Sequence, residues 1–138
     1  MRSARLSDIV VIDTNVVSYI LKRDTRGELY KPHIEGKLQM IAAQTFAELE
    51  VWPLENNWGS QRHMALRTHL EKFVFVEASK EIAILWAEIQ AHAKRVGRPI
   101  SAGDTWIAAT ALAYDAPLAT HNRKDFEHVP GLTVLSEN

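Results

Sequence analysis

The run Ile9-Val10-Val11-Ile12, closed by Asp13-Thr14-Asn15, decides how this chain folds. Consecutive β-branched residues without polar alternation describe a strand buried on both faces, as in a parallel sheet covered by helices. Asp13, Thr14 and Asn15 then supply a capped helix start, and Val16, Val17, Ile20 and Leu21 recur behind them at helical spacing. A strand that hands a carboxylate directly to a helix places that acid at the carboxyl edge of a sheet. Open α/β sheets keep their sites there.

Working outward, a polar loop at Asp24 to Gly27 precedes a weaker helical segment toward Ile34. Leu38 to Ala42 is a second strand. Thr45 opens a helix through about Val51, which Pro53 interrupts. After a loop at Asn56 to Gly59, Ser60 begins a helix to about Lys72, and Phe73 to Val76 is a third strand. Ser79 caps a long helix carrying Ile82, Leu85, Trp86 and Ile89 on one stripe, a core or dimer-interface face. Gly97 and Pro99 end it. Ser101 starts an alanine-rich helix to about Tyr114, and short strands follow at Leu118 to Thr120 and Leu132 to Leu135. This alternation predicts an α/β three-layer sandwich, a central and mainly parallel sheet flanked by helices. No repeat or linker divides residues 1–138, which are expected to form one domain.

Composition narrows the chemistry. With 46% hydrophobic and 24% charged residues, the chain has the makings of a packed core, not of a disordered segment. It contains no cysteine, which excludes disulfides, zinc–thiolate sites, iron–sulfur clusters and thiol nucleophiles. The formal net charge of −1 excludes a broadly basic nucleic-acid coat protein, so a nucleic-acid substrate requires a local basic rim or bridging metal ions. No apolar run approaches the roughly 20 residues that span a bilayer. Behind the arginines at positions 2 and 5, the stretch Ile9 to Ile12 is too short for a signal-peptide core. A cytoplasmic location is expected.

Four acids fall at or near carboxyl ends of strands: Asp13 after the first, Glu48 in the first turn after the second, Asp104 in the first turn of the alanine-rich helix, and Asp125 beyond the fourth. Converging carboxylates repel unless a cation lies between them, and oxygen ligands without thiols select Mg²⁺ or Mn²⁺ over zinc. Each acid also has a local explanation. Asp13 suits a helix N-cap, Thr45 to Glu48 matches a capping box, Ser101 to Asp104 fits a looser box, and Asp125 suits a solvated loop. The two explanations are compatible, because a carboxylate has two oxygens.

Four stretches carry a family resemblance. Val11-Ile12-Asp13-Thr14-Asn15-Val16-Val17-Ser18 resembles the opening motif of PIN domains, and Gln44-Thr45-Phe46-Ala47-Glu48-Leu49 their second acidic motif. Ala102-Gly103-Asp104-Thr105-Trp106-Ile107-Ala108-Ala109 resembles the third. Leu118-Ala119-Thr120-His121-Asn122-Arg123-Lys124-Asp125-Phe126, with Val129-Pro130-Gly131-Leu132 behind it, resembles the closing segment of VapC-like toxins. The resemblance implies a PIN-like sandwich and a ribonuclease toxin of a toxin–antitoxin pair. It implies hydrolysis of RNA by metal-activated water, leaving a 5′-phosphate and a 3′-hydroxyl. Asp13, Glu48 and Asp104 would hold one Mg²⁺ or Mn²⁺, with Asp125 helping to place a second. Many relatives have an aspartate where this chain has Asn122. The fourth position therefore falls to Asp125, which can carry charge, or to Asn122 as a hydrogen-bonding partner. Thr14, Asn15 and Thr120 are cast as orienting groups, or as caps and turn residues. The implied partners are a VapB-type antitoxin and a second copy of the chain.

Other features carry less. The six histidines form no metal signature, since His63 and His69 do not fall on adjacent helical turns. His121 and His128 flank Asp125 as loop residues. No strained serine turn or glycine-rich phosphate loop occurs. Lys94, Arg95, Arg98, Arg123 and Lys124 form either a basic rim for RNA or solvated helix ends. Trp52, Leu54 and Trp58 could anchor a partner, although Trp52 reads better as core. Two other readings are a PIN-type nuclease of RNA or DNA processing, and a catalytically silent binding module. The retained acids argue against the module. An aspartyl phosphatase needs a second aspartate where Asn15 stands.

Overall fold

The computed structural model describes residues 8–138, so the arginines at positions 2 and 5 lie outside the described residues. The β-branched opening run forms β1 (Ile9–Ile12), which leads through Asp13 into α1 (Thr14–Leu21). Two single turns, α2 (Thr25–Glu28) and α3 (Lys31–Ile34), replace the one weak segment read from the sequence. Then come β2 (Leu38–Ala42), α4 (Ala43–Glu55), α5 (Ser60–Leu70), β3 (Val74–Val76), α6 (Lys80–Arg95), α7 (Ala102–Ala113), β4 (Leu118–Ala119), α8 (Arg123–Phe126) and β5 (Val134–Leu135).

All strand pairs are parallel, and the sheet order is β3-β2-β1-β4-β5. The chain builds outward from β1 through β2 to β3, then returns through α6 and α7 to lay β4 on the opposite side of β1. The order of the strands therefore reverses between β1 and β4. Alternate residues of β1 point to opposite faces, as a period of two requires. Val10 and Ile12 join Val16, Val17, Tyr30, Ile41 and Leu49 in one core. Val11 joins Met40, Ala42, Ile82, Ile89, Ile107 and Phe126 in the other. The sheet is thus the middle layer of an α/β sandwich. The long-helix stripe belongs to the second core, with Ile82 and Ile89 buried and Leu85 and Trp86 packed partly against it.

Several boundaries depart from the sequence reading. α4 begins at Ala43, because Ala42 passes straight from the strand into the helix with extended backbone (φ −70°, ψ 156°). The helix also continues through Pro53 to Glu55. A proline in the last turn removes a single ladder donor there, and its ring is buried. The last two strands are shorter than predicted, Leu118–Ala119 and Val134–Leu135, because their outer residues turn away into loops. Gly97 does end α6 as expected, in the left-handed conformation (φ 69°) that a side chain would resist.

Trp52 and Trp58 pack partly against the first core, while Leu54 is exposed. Their rings carry Lys22 and Arg62 at 4.6 and 3.9 Å from the ring centres, respectively. Among the described residues, no helix is long and apolar enough to cross a membrane.

Candidate active site at the reversal of strand order

Asp13 leaves β1 at the point where strand order reverses. Its backbone is extended (φ −69°, ψ 156°), and it caps α1 as the sequence suggested: Oδ1 accepts a 2.8 Å hydrogen bond from the Thr14 amide. Oδ2 accepts a 2.7 Å bond from the Thr120 hydroxyl, across the junction with β4. Thr120 in turn accepts from the Asn122 amide at 3.0 Å. Thr120 is therefore an orienting group that grips the acid from one side and starts the next loop on the other. Asp13 is only 4% exposed. Its burial lifts the carboxyl from an ordinary 3.8 to about 6, against the pull of the Thr120 and Thr14 bonds and with help from Asp104 and Glu48.

Glu48 comes from α4. The Thr14 hydroxyl donates to its Oε1, and Gln44 Nε2 donates to its Oε2 at 3.0 Å. The capping-box reading of Thr45 and Glu48 fails here. α4 begins two residues before Thr45, whose buried hydroxyl lies 3.1 Å from that of Thr14. Glu48 is consequently turned toward α1 and not back along its own helix.

Asp104 lies in the first turn of α7, where Ser101 Oγ accepts from its amide at 3.1 Å, as the looser capping box predicts. Burial pushes its carboxyl above the ordinary range, opposed by a hydrogen bond from Ser101 and reinforced by the charges of Asp125 and Glu48. Asp125 is exposed on α8, the short helix that follows the loop from β4. It lines a cavity of about 320 Å³ together with Asp104, Ser101, Arg98, Lys124 and His128.

The four acids thus form an electrostatic chain from Asp13 through Glu48 and Asp104 to Asp125. Among the described residues, no three carboxylates or imidazoles stand at ligating separation. The inner acids are instead occupied by Thr14, Gln44 and Thr120. These are neutral donors, and a carboxylate that accepts from them keeps further lone pairs for a cation. An oxygen-only set with mutual repulsion and partial burial fits Mg²⁺ or Mn²⁺.

The remaining candidates divide. Asn15 Oδ1 accepts from the His121 amide at 3.3 Å, tying α1 to the same loop. The Asn122 side chain makes no capping bond to α8. Arg98 and Lys124 reach the cavity of Asp104 and Asp125, and Arg98 Nη1 meets His128 Nε2. Arg123 is exposed and is not among that cavity's lining residues.

Two contributors escaped the sequence reading. Gln44 could have been found from its four-residue spacing to Glu48 on one helix face. Gly103 could have been found as a helix-weakening residue kept inside a first turn. A Cβ on Gly103 would lie 2.9 Å from Gln44 Nε2 and 3.5 Å from Glu48 Oε2, so a side chain there would push the Gln44 amide out of its present place.

A carboxyl whose folded pKa is raised binds its proton more tightly in the native state. Its favourable contribution is present at low pH and is lost as pH rises from about 4 through about 6. Above that window the ionised Asp13 costs on the order of 3 kcal/mol. Asp13→Asn is therefore expected to raise the Tm of metal-free protein at pH 7.5 by several degrees, with the gain vanishing toward pH 4. Differential scanning calorimetry across that range checks it. Gly103→Ala is expected to keep or slightly raise stability, since alanine favours the helix by about 1 kcal/mol. It should nevertheless break the Gln44–Glu48 bond, visible as a shifted Gln44 side-chain amide signal in NMR spectra.

Comparison with known proteins places this geometry. Ribonuclease VapC1 of Haemophilus influenzae strain R2866 is 28% identical over 130 residues, which cover 90% of this chain and 94% of that protein. Among solved structures, VapBC-1 from nontypeable Haemophilus influenzae superimposes with a TM-score of 0.78 at 25% identity, covering 93% of this chain and 97% of the other. A toxin–antitoxin complex from Klebsiella pneumoniae shares the fold, with a TM-score of 0.74 at 22% identity over 92% of this chain and 96% of the other. The family model of the PIN domain matches residues 10–132. A parallel sheet that gathers four acids beside its central strand, matched over most of its length by that model, makes this chain a member of the PIN domain family.

Proposed function

We propose that residues 1–138 form a single Mg²⁺- or Mn²⁺-dependent endoribonuclease domain, the toxin of a toxin–antitoxin pair acting in the cytoplasm. The observation that carries this reading is the mutual repulsion of Asp13, Glu48 and Asp104 at the strand-order reversal. Like charge adds to burial in raising the cost of ionising Asp13 and Asp104, which calls for a shared cation. Similarity to ribonuclease VapC1 and to the VapBC-1 structure supports both an RNA substrate and a VapB-type antitoxin partner. A homodimer or a toxin–antitoxin hetero-oligomer is the assembly we propose.

Asp13, Glu48 and Asp104 would hold the ion, and Asp125 would support a second. When bound, such an ion activates water, polarises the phosphate and offsets charge that develops in the transition state. The chain's own residues prepare for it. Thr120 and the Thr14 amide fix both oxygens of Asp13, so the acid points into the site in one rotamer. Thr14 and Gln44 do the same for Glu48. Arg98 and Lys124 line the same cavity as Asp104 and Asp125, where they would take the flanking phosphates, and Arg123 beside Lys124 would add to them. Asn122 would support the loop and not ligate, because Asp125 is the neighbour that carries charge toward Asp104.

Asp13→Asn is expected to abolish cleavage of RNA in Mg²⁺ or Mn²⁺ while the protein remains folded. Adding Mn²⁺ should raise the Tm of the wild type and leave that of the variant nearly unchanged. Full RNA cleavage by a folded Asp13→Asn protein would refute the assignment, and preferential cleavage of DNA would favour a processing role. In the Asp13→Asn background, Arg98→Ala and Lys124→Ala should each reduce the salt dependence of RNA binding by about one phosphate contact. Fluorescence anisotropy at several salt concentrations measures it.

A further inference from the structure

Tyr30 lies between α2 and α3, outside every motif above, and it is fully buried. Its hydroxyl meets three partners: the Thr120 carbonyl at 3.1 Å, His121 Nδ1 at 2.6 Å and the Glu137 amide at 3.0 Å. A phenol has one proton and two lone pairs. The Thr120 carbonyl can only accept, and the Glu137 amide can only donate. All three contacts are therefore hydrogen bonds in one arrangement alone. Tyr30 gives its proton to Thr120 and accepts from both Glu137 N–H and His121 Nδ1–H. The reverse choice, donation to His121, would leave the Tyr30 and Thr120 oxygens facing each other in the interior with no proton between them.

The loop that Tyr30 grips is held elsewhere too. The His121 ring stands edge-on between Tyr19 and Tyr30, with ring centres 5.4 and 5.7 Å away. Its carbonyl accepts from Asn138 Nδ2 at 2.8 Å, and Glu137 is tied to His33 at 2.6 Å. The segment Ser136 to Asn138 thus closes over the back of the loop whose front carries the Thr120 hydroxyl on Asp13.

We infer that Tyr30 is a positioning residue of the site: its hydroxyl fixes the Thr120–His121 backbone, keeps Thr120 Oγ1 on Asp13, and holds neutral His121 as the Nδ1–H tautomer. Nε2 is then the ring's acceptor, the reverse of the tautomer that free imidazole side chains favour. The structural part stands alone, while its catalytic consequence rests on the nuclease reading.

Tyr30→Phe removes the hydroxyl and keeps the ring. Long-range ¹H–¹⁵N correlation spectra of the imidazoles at about pH 8, where histidine is neutral, should show His121 as the Nδ1–H form in the wild type and mainly as Nε2–H in the variant. In RNA cleavage, Tyr30→Phe should lower kcat about tenfold, the lower range for losing an outer-shell partner, with KM within about twofold of wild type. Because Tyr30 acts through Thr120, Tyr30→Phe added to Thr120→Val should lower kcat no further than Thr120→Val alone. An Nε2–H imidazole at His121 in the wild type overturns the inference, whether or not the variant folds. So does a folded Tyr30→Phe protein with unchanged kcat. If the wild type cleaves no RNA, the nuclease reading fails, and the imidazole spectra still decide the role of Tyr30.

Discussion

An ionised carboxylate at the buried end of the central strand is the constraint on which the rest of this structure turns. Asp13 cannot shed its charge into solvent, so the fold surrounds it with donors drawn from two distant places, the first turn of α1 and the end of β4. The bond from Thr120 spans the junction where β4 lies beside β1 and the order of the strands reverses. The reversal opens the crevice into which α4 and α7 bring Glu48 and Asp104. Sheet topology, helix starts and electrostatics meet at this one group.

Much of this was legible in the sequence because it is local. A β-branched run ending in an acid announces β1 and the cap of α1. The periodic stripe of α6 and the Ser101 cap of α7 follow rules that span four residues or fewer. The four acids could be proposed as neighbours because parallel strands put their ends on one edge. Features that depend on packing were hidden. The start of α4 moved to Ala43 because the backbone of Ala42 needed no loop, and Pro53 was tolerated because it fell in the final turn. Thr45 looked like a cap and became a buried partner of Thr14. Tyr30 gave no signal at all, since its partner Thr120 is ninety residues away in the chain.

Capping and the ligation proposed above are compatible uses of the same side chains. Asp13 gives one oxygen to the helix that follows it and the other to Thr120, while Ser101 caps α7 so that Asp104 is free to face Glu48 and Asp125. The helix starts set the acids' directions, and the glycine at position 103 leaves room for the Gln44 amide beside Glu48. Asp13 and Glu48 are each aimed by neutral donors.

The strand that completes the junction is made late. Asp13 leaves the ribosome long before position 120, whose hydroxyl steadies it, and β4 has its place next to β1 in the interior of the sheet. A growing polypeptide therefore carries Asp13 and Glu48 well before the strand that gathers them has been made. Any activity housed here waits on the translation of position 120.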